Sequence, residues 1–493
     1  MTAKRNLVAN YLGSIWVALM GFVFVPVYLK FVGAAGYGLV GFFITLSAIL
    51  AYLDSGLGAA AMRESARFEA ADEAEQKKIH TLLHAMEAAF WGISALCGVV
   101  IALGATFLVD YWLNIPQGLR DETIIAIRWM ALAISVQLPL AFYTGCLNGF
   151  QKQVTLNIIG AIGATARYGG AALVLWLIEP TMTIFFAWHA TITTFWVIAQ
   201  RQVIANKLKK SPKEKGISLG SLKTIKSFLG GVGAINVLSL LLTQTDKVIL
   251  SKVLSLSDFG YYTLAWMLGT AIYKISGPLF NVYYPRLIQL VQRNEQENLL
   301  KTYRVSYTLM ALAVVPFSLW LAFFGKEILF LWTHDKNVAE AAAGALAFIT
   351  LGTMCNALMN MPYAIQLAHN MTRLALIQNL VTLVIIGPLI WYLATHWGLT
   401  AAAIPWFLVN ASYIVITPLI MHRLLRLRGV VDWYRTGVLS TVLTAIPVFV
   451  LLKLIWKPQQ LNQLALFGIL VAALLCAFAL SFAVTRGQLK LKE

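Results

Sequence analysis

The constraint that acts first on this chain is its series of apolar segments. About fourteen stretches of roughly twenty apolar residues follow one another, each close to the length that crosses a ~30 Å hydrocarbon core as a helix. Lipid offers no water to the backbone, so segments of this kind satisfy their amides and carbonyls internally, as helices. The expected spans are 7–29, 38–60, 82–109, 123–147, 154–178 and 181–204 in a first half, then 227–252, 259–284, 303–332, 339–366, 372–394 and 399–422 in a second. Two more, 433–455 and 463–485, follow. Charge content agrees: 12% of the 493 residues are charged, against about a quarter in a soluble domain. No polar stretch is long enough for a separate soluble domain. The first apolar run, after Lys4 and Arg5, exceeds a signal-peptide core and lacks a small-residue cleavage site, so it reads as a retained span.

Loop charge sets the expected orientation. About 27 of the 38 Lys and Arg fall in alternate loops, and about eight in the opposite set. By the positive-inside rule both termini are cytoplasmic. The same pattern explains the net charge of +17 without nucleic acid, for which no base-reading motif is present. The longest basic loop, Arg201 to Lys226, reads as an inter-half linker on anionic headgroups. Residues 61–81 read as one amphipathic cytoplasmic helix with mostly solvated charges. His80 and His84 stand four apart, as a metal pair would, but no third ligand is near and no metal site is expected. Cys97, Cys146, Cys355 and Cys476 lie in apolar spans and are expected to be buried and reduced.

The halves repeat. Lys30 and Lys252, Gly38 and Gly260, Asn148 and Asn370, and Asn157 and Asn379 all stand 222 residues apart. Six helices per half make the repeats parallel, related by an axis along the membrane normal. The fold class is therefore an all-α polytopic membrane protein of about 14 transmembrane helices. The expected organisation is an N-terminal six-helix lobe (1–205), a basic cytoplasmic linker (206–226), a C-terminal six-helix lobe (227–425), and two extra helices with a cytoplasmic tail (426–493). Most prolines lie inside spans, where each removes a helix hydrogen bond. Pro26 and Pro278 are placed to act as hinges.

Charges at membrane depth carry the functional signal. An ionised group at the bilayer centre costs at least roughly 2.5–3.5 kcal/mol, so it faces water or a partner. Arg167 and Lys274 lie near the centres of their helices, and Arg128 about one turn into its own. Asp246 and Lys247 stand side by side in an outer third, Asp54 near an inner end, and Glu87 and His189 are shallower or neutral candidates. The deep set is net positive, which suits an anionic ligand; Arg grips phosphate with two parallel hydrogen bonds. Asp246 reads equally as a gating or ion-coupling residue, with Lys247 its partner, and as half of a structural ion pair. Asn10, Asn157, Asn236, Gln244, Asn281, Asn356 and Asn379 add neutral hydrogen-bonding groups suited to sugar hydroxyls. Each alone also reads as interhelical glue. No catalytic constellation or Walker-type phosphate loop is present, so neither an enzyme nor a nucleotide-driven pump is expected, and no cofactor.

Asn10-Tyr11-Leu12-Gly13, Pro26 with Tyr28-Leu29, Gly36-Tyr37-Gly38 and Asp54-Ser55-Gly56-Leu57 resemble the opening of bacterial polysaccharide flippases. Thr245-Asp246-Lys247 with Phe259-Gly260-Tyr261-Tyr262 resembles the start of their second half. These are the O-antigen and exopolysaccharide transporters of the multidrug/oligosaccharidyl-lipid/polysaccharide flippase superfamily. The resemblance implies two lobes around a cavity and alternating access in the bacterial inner membrane. It implies movement of an undecaprenyl-pyrophosphate-linked oligosaccharide from the cytoplasmic to the periplasmic leaflet, coupled to H+, Na+ or membrane potential. On that reading Arg167 and Lys274, supported by Arg128, hold the pyrophosphate, while Asp246, Lys247 and Asp54 gate or couple. Membrane lipids and a polymerase or glycosyltransferase complex are the implied partners. The two C-terminal helices depart from the commonest pattern and resemble lipid II flippases. A drug/cation antiporter with the same two-lobed fold is the alternative from another cargo class, and a non-transporting scaffold of the synthesis complex a third.

Overall fold

The computed structural model describes residues 2–54, 57–116, 118–209, 233–455 and 462–489. They are helical almost throughout, with one isolated β-bridge, Asn114 to Ser255, among them. In order the helices are α1 (Thr2–Val23), α2 (Val25–Asp54), α3 (Leu57–Ala70), α4 (Glu73–Phe107), α5 (Arg120–Ser135), α6 (Gln137–Gly149), α7 (Gln153–Leu177) and α8 (Met182–Leu208). Then come α9 (Gly233–Val253), α10 (Leu256–Gly269), α11 (Tyr273–Gln292), α12 (Gln296–Phe323), α13 (Gly325–Thr333), α14 (Lys336–Leu358) and α15 (Asn360–Ala368). The series ends with α16 (Arg373–Leu424), α17 (Ser440–Ile455) and α18 (Gln463–Leu489). Among the described residues, 10 helical stretches are long and apolar enough to cross a membrane. The chain is thus a multi-pass membrane protein. It divides into two compact units, Met1–Gly260 and Tyr261–Glu493. Most of the expected linker, 210–226, lies outside the described residues.

Two glycines set where long helices turn. As a straight rod the 52 residues of α16 would reach ~78 Å, more than twice a bilayer core. Gly398 (φ 71°, ψ −155°) breaks the rod, in the gap expected between 372–394 and 399–422. Gln378 Nε2 then donates to Thr417 Oγ1 (2.7 Å), and Thr382 meets the Tyr413 hydroxyl. Both pairs are centred on Gly398, so the two arms fold back on each other. Gly33 (φ 67°, ψ −178°) does the same duty in α2, within the expected turn after Lys30. Backbone of this kind is open essentially to glycine alone.

The repeat is visible in contacts. A Cβ on Gly38 would fall on the carbonyl oxygen of Leu256, and a Cβ on Gly260 on that of Ala34. Ala34 and Leu256 are themselves 222 residues apart, so the two equivalent segments cross with the exchange pattern of an isologous contact. The register shifts farther on. Helix α6 closes with Gln151 N on Asn148 O (3.0 Å) and Lys152 N on Leu147 O (2.8 Å). Helix α15 closes with Asn370 N on Leu367 O (3.0 Å) and Met371 N on Gln366 O (2.8 Å). Both are Schellman ends with a left-handed residue, Gln151 (φ 54°) and Asn370 (φ 55°). Asn370 is therefore matched by Gln151 rather than by Asn148.

Three further expectations change. The 61–81 segment is two helices, because Asp72 Oδ1 caps α4 by accepting from Glu75 N (2.8 Å). Its charges are not all solvated: Glu64 is 1% exposed, held by Arg63 (2.6 Å) and Arg67 (2.8 Å). The hydrogen bond to Glu75 and the field of Glu64 raise the pKa of Arg67 above its ordinary value. The four cysteines are free, but only Cys146 and Cys355 are buried; Cys476 is exposed.

The glycine crossing predicts opposite signs for two alanine substitutions. Gly38→Ala must displace backbone and should lower thermal stability in detergent by about 1–3 kcal/mol. Gly92→Ala in α4, where a Cβ meets nothing within 4 Å, should be neutral or gain up to ~1 kcal/mol. Melting curves of the two purified variants check this.

Candidate functional site

In the first unit α1, α7 and α8 come together around Arg167. α1 is tied to α7 by Asn157 Nδ2 on Asn10 Oδ1 (2.6 Å) and by Trp16 Nε1 on Thr165 Oγ1 (2.9 Å). Tyr28 of α2 donates to Tyr168 O (2.6 Å), and Trp188 of α8 to Ala166 O (2.9 Å). The neighbours of Arg167 on both sides are thereby fixed. The half-buried guanidinium donates from Nη2 to the Tyr168 hydroxyl (3.0 Å). Its carbon lies 4.9 Å from the Tyr168 ring centroid and 5.6 Å from that of Trp196. Aromatic faces solvate a cation partly without neutralising it. Nε is buried without a hydrogen-bond partner, and no carboxylate pairs with Arg167 among the described residues. Trp196 Nε1 is likewise buried and unpartnered.

His189, 4% exposed, packs among Phe43, Tyr168, Phe185 and Phe186, with both ring nitrogens unpartnered. Its part in this cluster could not be read from its isolated place in an apolar run.

The acids within the expected spans behave differently. Glu87 takes Arg201 Nε (2.8 Å) and the Tyr143 hydroxyl (2.6 Å) on one oxygen, and His84 Nδ1 (3.2 Å) on the other. Trp91 Nε1 donates to the same hydroxyl (3.1 Å). That network joins α4, α6 and α8 beside a pocket of about 340 Å³. His80 stacks on His84 at 4.9 Å, and no three metal-ligating side chains gather among the described residues. Asp246 accepts Lys247 Nζ on both oxygens at 3.0 Å, with both side chains about nine-tenths buried. Lys247 Nζ also donates to Thr243 O (3.1 Å).

The remaining candidates are separate. Arg128 lies exposed on α5, without an ion pair among the described residues. Lys274, in the second unit, is exposed near the start of α11 and also has none there. Pro278 deprives the Lys274 carbonyl of its helix amide, just after the 3-10 turn Thr270–Ile272. Pro26 lies in the first turn of α2, past the break at Phe24, rather than inside the first helix. The side chains of Asp54 and Asn236 lie outside the described residues. Structure thus brings Asp246 to Lys247, Glu87 to Arg201, and leaves Arg167, Arg128 and Lys274 as bases without acids among the described residues.

The sequence profile of the family described as "Polysaccharide biosynthesis protein" matches residues 3–291. A Shigella flexneri protein named "Putative O-antigen transporter" is 20% identical over 406 residues, 82% of this chain and 94% of that protein. Among solved structures, a lipid II flippase MurJ in an inward closed conformation superposes with a TM-score of 0.71 at 12% identity, covering 98% of this chain and 99% of its own. An inward-facing MATE family multidrug transporter of the MOP superfamily gives 0.61 at 12% identity, covering 86% and 96%. These structures establish the fold that the chain shares.

The Asp246–Lys247 pair can be told from a coupling site by a double-mutant cycle. Asp246→Asn leaves a buried ammonium without its carboxylate and should cost about 3–5 kcal/mol of stability. If the pair is structural, Asp246→Asn with Lys247→Gln recovers most of that loss and restores transport. A coupling role is indicated instead if stability returns and transport does not.

Proposed function

Because this chain belongs to the polysaccharide biosynthesis protein family, we propose that it is an alternating-access flippase for an undecaprenyl-pyrophosphate-linked oligosaccharide. It moves this cargo from the cytoplasmic to the periplasmic leaflet of the bacterial inner membrane, with both termini in the cytoplasm. An ion gradient or the membrane potential drives it. The observation that carries the reading is the state of Arg167: a half-buried guanidinium with a buried, unpartnered Nε and no carboxylate among the described residues. At an effective dielectric of about 20, unit charges 4 Å apart attract by ~4 kcal/mol, so such a group favours an anion strongly. A guanidinium already satisfied by a carboxylate would offer much less. Lys274 and Arg128, also without acids among the described residues, supply further positive charge for a pyrophosphate. The two lobes would flex at Pro26 and Pro278.

A drug/cation antiporter of the same fold needs a deep carboxylate free to take its cargo or a coupling cation. Among the described residues Glu87 and Asp246 are both engaged by bases, while Glu327 keeps a buried Oε2 without a partner and the Asp54 side chain lies outside them. A lipid II flippase would use the same pyrophosphate chemistry and differ in the head group beyond it.

The test is polymer export in a flippase-deficient strain at matched expression. Arg167→Ala should reduce export by more than about tenfold, the effect of losing a contact worth roughly 2–5 kcal/mol to a buried charge. Arg167→Lys keeps charge without the fork and should fall between. Lys274→Ala should reduce export too. Normal export by both alanine variants rejects the assignment, and drug efflux lost in Asp246→Asn would point to the antiporter.

A further inference from the structure

We propose that the second unit contains a binding pocket for one uncharged sugar residue. The proposal rests on the flippase reading above and assigns part of the cargo to a place other than Arg167. The pocket, of about 320 Å³, lies among α14, α15 and the two arms of α16. That volume is within the ~300–1,000 Å³ of small-ligand sites. Its lining includes five carboxamides, Asn356, Asn360, Gln366, Gln378 and Asn379, and no acidic or basic side chain. A cation would find no carboxylate there, a phosphate no Arg or Lys, and an acyl chain too many polar groups. A sugar ring presents the complement: hydroxyl donors and acceptors around its edge, and apolar C–H faces. Tyr363 and Tyr413 in the wall supply aromatic surface for those faces.

The amides fall into two sets. Asn356 and Gln378 are held. The Tyr273 hydroxyl donates to Asn356 Oδ1 (3.0 Å), and Asn356 Nδ2 donates to Asn410 Oδ1 (2.8 Å). Asn410 in turn donates to Trp406 O (2.7 Å). Gln378 Nε2 donates to Thr417, and the Tyr413 hydroxyl to Gln378 O (3.1 Å). Gln366 is only 2% exposed, yet its Oε1 is buried without a donor. Leaving such an acceptor unsatisfied costs about 1–3 kcal/mol, and a ligand hydroxyl or N–H met by a turn of the side chain toward the pocket would remove that cost. Asn360 and Asn379 make no side-chain hydrogen bond among the described residues. A rigid frame with unspent amides in the pocket wall is the arrangement that recognises neutral polar ligands. The Gly398 fold-back creates it, by placing the arm that carries Gln378 and Asn379 beside the arm that carries Tyr413 and Thr417.

The experiment uses the full chain in lipid nanodiscs at millimolar probe, with saturation-transfer NMR for the sugars and 31P line broadening for pyrophosphate, which has no C–H proton. The probes are methyl glucoside, methyl rhamnoside, N-acetylglucosamine, glucuronate and inorganic pyrophosphate. At least one neutral sugar should bind, and glucuronate should bind at least about tenfold more weakly, since no base faces it. Asn360→Leu with Asn379→Leu, which break no hydrogen bond among the described residues, should weaken the neutral sugar about tenfold with unchanged melting. Gln366→Met, close in shape, should do the same. Pyrophosphate binding should be unaffected by these variants and lost in Arg167→Ala. The pocket is refuted if no neutral sugar binds, or if the pocket variants bind it as the parent does. Those results with Arg167-dependent pyrophosphate binding leave the flippase reading standing. Pyrophosphate binding and export that ignore Arg167 reject that reading instead.

Discussion

The hydrocarbon core accepts no unsatisfied backbone, and the architecture follows from that refusal. Helices are the default, and every departure from helix has to be closed by a local device. Among the described residues those devices are specific. Gly33 and Gly398 turn long rods where a side chain could not follow. Schellman ends at Gln151 and Asn370 return the last carbonyls of α6 and α15 to the chain. Proline at 278 frees a carbonyl beside a short 3-10 turn, a local weakening of the ladder at the level of Lys274. Breaks of this kind also decide which side chains meet, since each reversal lays one arm against another.

Electrostatics adds a second layer. Glu64, Glu87 and Asp246 are each compensated by neighbouring bases, so they lock α3, α4, α6, α8 and α9 internally or to one another at tolerable cost. Arg167 is solvated by rings instead, with donors unspent. A deep base left unmatched is stabilised less by its own fold than a paired one.

Much of this was legible in order along the chain. Apolar length marked the spans, the gaps left between them hold the turns at Gly33 and Gly398, and the count of bases over acids marked the positive set. What was hidden is what lies between segments. Glu87 and Arg201 are 114 residues apart, and nothing local says that they meet. Glu64 sits in a run of charges that looks solvated, yet the packing of α3 against α4 and α6 leaves it buried. The repeat offset, constant around Gly38 and Gly260, slips by three residues at the Schellman ends, because α6 has 13 residues and α15 has 9. The amides of the second-unit pocket come from three helices, and each alone looks like packing glue. Their meaning depends on convergence, which linear spacing does not encode.

The glycine crossing has a historical consequence. After a gene segment duplicates, the two copies are ordinarily free to drift apart. Where the copies touch each other, that freedom ends. Gly38 bears on Leu256, and Gly260 on Ala34, so each copy is part of the other's environment. A larger residue in either would have to be answered in its twin. Such a crossing is a tether on divergence: the ancestral symmetry should persist there longest, while helices without a twin against them accumulate differences.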